Sequence, residues 1–252
     1  HEALDEYFPE NHHNIAHDNL NLLRNNWTVT DGQLDAQAGD LVNFEMMHNF
    51  FTNNNMATTT NYTLAKSMID IKNWVDYLCL EVYCGNQDWL TNNMKLWQRK
   101  SPPSPWHYML MDTDWSYGLN SDANSQTLAY LLNHSSDHSD LVNAVLVNTS
   151  FRNYFLNRFA DLLNTKLQSE TVIDIKNEIA NTIVYDIERT NLLYWGNESL
   201  QTWNNELNKI EEFATARPAA MRQQLIDQFD LDGQVQIQLQ VNPPDAGTIK
   251  IN

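Results

Sequence analysis

Apolar positions fall into helical spacing over most of this chain and into alternation only in short stretches. From Ile71 onward, Trp74, Val75, Leu78, Cys79 and Val82 recur at three- and four-residue steps, while Tyr77, Leu80 and Tyr83 fill much of the other face. A helix apolar nearly all round is a buried one. Asp70 stands where an N-cap belongs and Gly85 where the chain must leave the helix, so the spacing predicts a helix between them. Phe151, Tyr154, Phe155, Arg158, Phe159 and Leu162 predict a second helix, and Val172, Ile175, Ile179 and Ile183 a third. Leu200, Trp203, Leu207, Ile210 and Phe213 predict a fourth. Proline suits a first helical turn, so Arg217-Pro218 predicts a fresh start that runs through Met221 and Leu225 to Phe229.

The remaining stretches are less periodic. Residues 1–63 are polar and Asn-rich, with amphipathic pieces at Leu20, Leu22 and Leu23 beside Arg24 and from Leu41 to Phe51; they read as helices separated by loops. Met94 to Arg99 and Trp106 to Met111 flank a segment with three prolines and two serines, which predicts a β-hairpin. A polar loop is expected from Asp112 to about Ser139, with His134 and His138 on it. Gln234 to Val241 alternates like a strand, Pro243, Pro244 and Gly247 mark a turn, and Thr248 begins another strand. The expected organisation is a mainly α unit with a hairpin over 1–233, followed over 234–252 by the start of a β-hairpin or of an attached β-domain.

Charge and composition exclude several functions. The 252 residues carry 15 Lys and Arg against 32 Asp and Glu, a net charge of −17. Wrapping nucleic acid needs clustered cations on the phosphates, so no nucleic-acid partner is expected. The seven glycines form neither a dinucleotide-binding fingerprint nor a P-loop. No stretch is long and apolar enough to be a transmembrane helix, so the chain is expected not to be transmembrane. Cys79 and Cys84 would sit roughly 140° apart around a helix, which disfavours a mutual disulfide. Trp74, Trp97, Trp106 and Trp115 each fall in an apolar run and read as core.

The chemistry concentrates between Asp88 and Asp114. A buried helix leads into the loop Asp88-x4-Asn93, the loop into the hairpin, and the hairpin into Asp112-Thr113-Asp114. If Arg99 faces Trp106, the same register sets Asn93 opposite Asp112. Directly opposed residues have Cβ atoms roughly 4.5–5.5 Å apart, close enough for an amide oxygen and a carboxylate to share one Mg²⁺. A calcium loop starting at Asp112 is disfavoured, because Tyr117 and Ala123 stand where Gly and Glu are required. Helix, Asp-x4-Asn loop, hairpin and Asp is also the order of the catalytic half of a protein kinase. Here Asn86-Gln87 replaces the kinase His-Arg, and Asp112-Thr113-Asp114 replaces Asp-Phe-Gly.

Several fixed spacings agree at once with a known family. The run Asp70-Ile71-Lys72-Asn73-Trp74-Val75-Asp76-Tyr77-Leu78, then Gly85-Asn86-Gln87-Asp88-Trp89 with Asn92-Asn93 and Trp97, then Trp106 through Asp114 with Gly118, resembles the spore-coat protein H (CotH) kinase family. Phe213-Ala214-x-x-Arg217 and Leu225 resemble its closing helices, and the likeness spans roughly residues 65 to 230. The resemblance implies an atypical protein-kinase-like C-terminal lobe, mainly α with a catalytic hairpin and a C-terminal helical bundle. It implies ATP with Mg²⁺ or Mn²⁺ as cofactors and a protein substrate phosphorylated on Ser or Thr. By position, Asp88 would be the catalytic acid, Asn93 and Asp112 would hold the metal-bound nucleotide, and Asp114 lies in the metal motif. The segment before Ala65 has no Lys for the nucleotide phosphates, so an upstream lobe is expected to supply it and this chain alone to transfer little phosphate. Secretion or display at the cell surface is expected. The alternative function is a surface binding module with a kinase-like fold and no turnover, for a glycan or another partner.

Overall fold

The computed structural model describes residues 3–25, 34–190 and 200–235, with isolated positions beyond. In chain order these form α1 (Tyr7–His13), β1 (Leu20–Asn25), β2 (Leu34–Ala38), α2 (Val42–Asn53), α3 (Thr59–Met68), α4 (Ile71–Cys84), β3 (Lys95–Arg99) and β4 (His107–Met109). Then follow α5 (Thr127–Asn133), α6 (Asp137–Leu146), α7 (Thr149–Asn164), α8 (Ser169–Thr190) and α9 (Leu200–Phe229). The architecture is mainly α with one small antiparallel sheet, as the sequence leads one to expect.

That sheet is larger than a hairpin. Its order is β2-β1-β3-β4, so the Leu20–Leu23 piece is a central strand rather than part of a helix. The reason it shows no clean alternation is that both its faces are covered, as in any strand buried on two sides. Leu20 and Leu22 join Trp97 and Met109 under Phe8 and Ile15, whereas Leu23 joins Leu96 and Tyr108 in the main core. Asn21 is buried between them and accepts from the Asp40 N–H, where Gly39 turns the chain at φ 72°. A Cβ on Gly39 would lie 2.1 Å from the Asn21 oxygen.

The main core is built around α4. Trp74, Val75, Leu78, Cys79 and Val82 are all buried, the Asp70 carboxylate accepts from the Lys72 and Asn73 N–H groups, and Gly85 exits in the left-handed region. Both cysteines are free and buried. Strand β4 is a sheet edge, and α4 completes its hydrogen bonding: Asn73 donates to the Tyr108 carbonyl at 3.0 Å and accepts from the Tyr108 N–H at 2.6 Å. Trp106 is held likewise, donating to Met68 O and accepting from Asp70 N.

Three further expectations are corrected. The polar stretch before Ser139 contains α5 and the start of α6, short helices that bury Leu128, Leu131 and His138 under a Ser136 cap. Helix α9 runs unbroken through Pro218, because Arg217, Pro218 and Met221 are all packed inside and hold the turn that proline weakens. Trp115 is 46% exposed rather than core. Of the expected strand 234–241, the described positions carry no strand, while Gln236, Gln238 and Leu239 lie outside the described residues. The second expected strand, from Thr248, also lies outside them.

Candidate active site

The site begins where α4 ends. Gly85 turns the chain, the buried Asn86 accepts from the Asp88 N–H at 2.9 Å, and Trp89 and Leu90 plunge into the core. Those two buried side chains fix the loop, so Asp88 stands between them and the turn, half-buried. Its Oδ2 accepts from the side-chain amides of both Asn92 and Asn93, each at 2.9 Å. The loop backbone is tied from two more sides: Asn25 of β1 donates to Leu90 O at 2.8 Å, and the Tyr130 hydroxyl of α5 to Trp89 O at 3.2 Å.

Asp88 and Asn93 are therefore brought together, though not by the sheet. The hairpin register is one residue off the expected one: Lys95 pairs with Met109, Leu96 with Tyr108 and Trp97 with His107. Continued outward, that ladder sets Asn92 rather than Asn93 opposite Asp112, and the strands stop before reaching either residue. Asn93 and Asp112 instead leave the strand ends in left-handed turns, at φ 50° and 47°. Leu90 does the same at φ 70°, which is costly for a bulky side chain. Such outliers cluster where surrounding packing holds a functional geometry, at a cost of about 1–3 kcal/mol each.

Asp112 and Asp114 both lie exposed after β4. Lost hydration, then the charge of Asp114 and a hydrogen bond shared with it, then the charge of Asp88, all raise the Asp112 carboxyl above the usual range. The charges of Asp114 and Asp88 thus both bear on Asp112, a repulsion that a bound cation would relieve. The Asn93 amide nitrogen is engaged by Asp88, leaving its Oδ1 as a ligand atom. Carboxylate and amide oxygens are the hard donors that Mg²⁺ and Mn²⁺ take, so the residues fit such an ion. Lys95 lies two residues past Asn93, half-buried, with its pKa lowered by desolvation and then by Arg24, its cross-strand partner.

Glu81, on α4, carried no motif in the sequence. Its side chain is fully buried and accepts from Asn86 at 2.9 Å, and burial pushes its carboxyl up to about 7 against the lowering pull of Asn86 and Tyr77. No signal in the sequence separates it from Asp76, the other acid of the same helix, which is exposed and pairs with Arg158.

A different trio comes closer together. Among the described residues, ligand atoms of His48, Asp137 and Asp140 all lie within 4.8 Å of one another, with His48 Nε2 at 3.7 and 3.6 Å from the two carboxylates. Both acids are exposed in the first turn of α6, where the positive end of the helix favours them, and a protonated His48 would pair with both.

No described helix is long and apolar enough to cross a membrane. Comparison with curated proteins finds no match. The family model described as CotH kinase protein matches residues 2–221, and so extends the likeness to residues 2–64, ahead of the span in which the sequence motifs fall. With most of its length inside that match, the chain belongs to the CotH kinase family and is an atypical kinase-like protein.

Proposed function

We propose that this chain carries the phosphoryl-transfer site of an atypical protein kinase, moving the γ-phosphate of ATP to Ser or Thr of a protein with Mg²⁺ or Mn²⁺. The single observation that supports it best is the direct bonding of the Asn92 and Asn93 amides to Asp88, with Asp114 and Asp88 close enough to raise the Asp112 carboxyl. In such a transfer the protein contributes positioning and electrostatic stabilisation, because the transition state is loose.

Each residue then has a task. Asp88, oriented through its Oδ2, holds the acceptor hydroxyl and takes its proton as the phosphoryl group leaves ATP. Asn93 Oδ1 and Asp112 would hold a metal ion, which would neutralise charge on the phosphates; Asp114 adds negative field beside Asp112. Leu90 and Trp89, wholly buried, keep the loop from relaxing.

The test is transfer of labelled γ-phosphate to protein acceptors by the full-length protein, with Mg²⁺ or Mn²⁺, followed by identification of the labelled residue. Label on Ser or Thr that disappears in Asp88→Asn supports the reading. Metal-dependent nucleotide binding without any transfer favours the second reading, a binding module with a kinase-like fold. That second reading draws on Trp115 and Leu119, exposed apolar side chains that follow Asp114 in the chain and suit a partner surface.

A further inference from the structure

Glu81 is an acid to which the proposed reaction assigns no task. It is 0% exposed, its Oε2 accepts from Asn86, and its Oε1 has no hydrogen-bond partner. A half-satisfied carboxylate in the core costs stability that Gln, Met or Leu would not cost to the same degree. Its surroundings add to that cost. Tyr77 and Cys84 on α4 and Tyr117 from the segment before α5 all face it closely enough for its charge to raise their own pKa values. The Tyr77 hydroxyl lies near it yet makes no hydrogen bond of acceptable geometry.

Asn86 is what the carboxylate holds. That side chain is itself 0% exposed, and its two ends do opposite things: Nδ2 donates to Glu81, while Oδ1 accepts from the Asp88 N–H at 2.9 Å. An amide can rotate by half a turn and exchange its ends. In the exchanged state its NH₂ would meet the Asp88 N–H, two donors face to face. An ionised carboxylate only accepts, so it admits one orientation of Asn86 and forbids the other.

The geometry points to Glu81 as a positioning residue for the Asp88 loop: its buried carboxylate fixes the Asn86 amide, and Asn86 in turn fixes the backbone from which Asp88 projects. The catalytic consequence rests on the phosphotransfer reading, whereas the anchoring of the loop does not. Protonation of Glu81 adds an O–H donor and weakens the selection, and its pKa of about 7 places that change in the neutral range.

Residue-resolved amide exchange at Asp88, alongside steady-state turnover, tests this in the full-length protein. Glu81→Leu removes the acceptor, so exchange at Asp88 should rise about tenfold or more, the cost of losing a charge-assisted hydrogen bond, while α7 exchanges as before. Glu81→Gln, whose oxygen can still accept, should restore exchange to within about threefold of wild type. Turnover should fall about tenfold in Glu81→Leu with the KM for Mg²⁺-ATP changed less than about twofold, since Asp88 acts on the acceptor hydroxyl. The ratio of wild-type to Glu81→Gln turnover should rise as pH passes through about 7. If Glu81→Leu does not fold, Asn86→Ala should show the same loop exchange. Unchanged exchange at Asp88 in a folded Glu81→Leu or Asn86→Ala protein overturns the inference. Exchange that depends on Glu81 in a protein that transfers no phosphate upholds the anchoring and overturns the phosphotransfer reading.

Discussion

Two buried titratable side chains give the protein opposite responses to pH. Burial, then the charge of His48, pushes His138 down to about 3, while its Nδ1 shares a 2.8 Å hydrogen bond with the Tyr108 hydroxyl. Its unfolded value is near 6.5, so the unfolded chain takes up the proton first and stability is lost as pH falls from about 6.5 toward 3. Glu81 works the other way. Its folded value of about 7 exceeds the ordinary 4.5, so the stability it contributes is complete below about 4.5 and is lost as pH rises through about 7. Glu81→Gln should therefore gain stability relative to wild type between pH 5 and 8, measured by denaturant unfolding at each pH. A constant difference across that range would contradict the burial of an ionisable Glu81. Neither group was legible in the sequence, because the pattern places a residue on a helix without saying which polar side chain the tertiary packing encloses.

At the scale of elements, the sequence was most informative where one helix face or cap decided the outcome. Asp70 and Gly85 bound α4 as the capping rules require, and the α2, α7 and α8 periodicities reappear as helices. It failed where burial on two sides erased the alternation, as in β1, and where a long-range contact outweighed a local preference, as at Pro218. The long-range contact is Arg217. Wholly buried, it donates to the carbonyls of Val82, Tyr83, Ala123 and Ser125 and to the Thr127 hydroxyl, so it satisfies the end of α4 and the approach to α5 together. Arg217→Leu leaves those carbonyls unpaired inside and should cost about 3–5 kcal/mol of unfolding free energy, read from chemical denaturation. Asn73→Ala strips the two hydrogen bonds that close the β4 edge and should cost about 1–3 kcal/mol. Its effect should centre on amide exchange at Tyr108.

For the whole molecule, the order of the candidate site residues was readable from the chain, and the contact that joins two of them, Asp88 and Asn93, is made by a different route from the one the sequence suggested. Spacing alone gave Asp88, Asn93 and Asp112 in kinase order. The cross-strand register meant to join Asn93 to Asp112 is absent, and the loop, its backbone anchored by Asn25, Tyr130 and Asn86, instead joins Asn93 to Asp88, whose carboxylate is held by Asn92 and Asn93. The register was not legible because a six-residue proline-rich connection permits several pairings. No Lys precedes Lys66 in the chain, so spacing offered no upstream base for nucleotide phosphates.

The most direct measurement is calorimetric titration of Mg²⁺-nucleotide into the wild-type protein, Asp88→Asn and Asp112→Asn. A metal ligand contributes in ground and transition states alike, while a group orienting the hydroxyl acts during transfer. Binding should stay within about threefold of wild type in Asp88→Asn and weaken about tenfold or more in Asp112→Asn. Loss of binding in Asp88→Asn with binding spared in Asp112→Asn would contradict these roles.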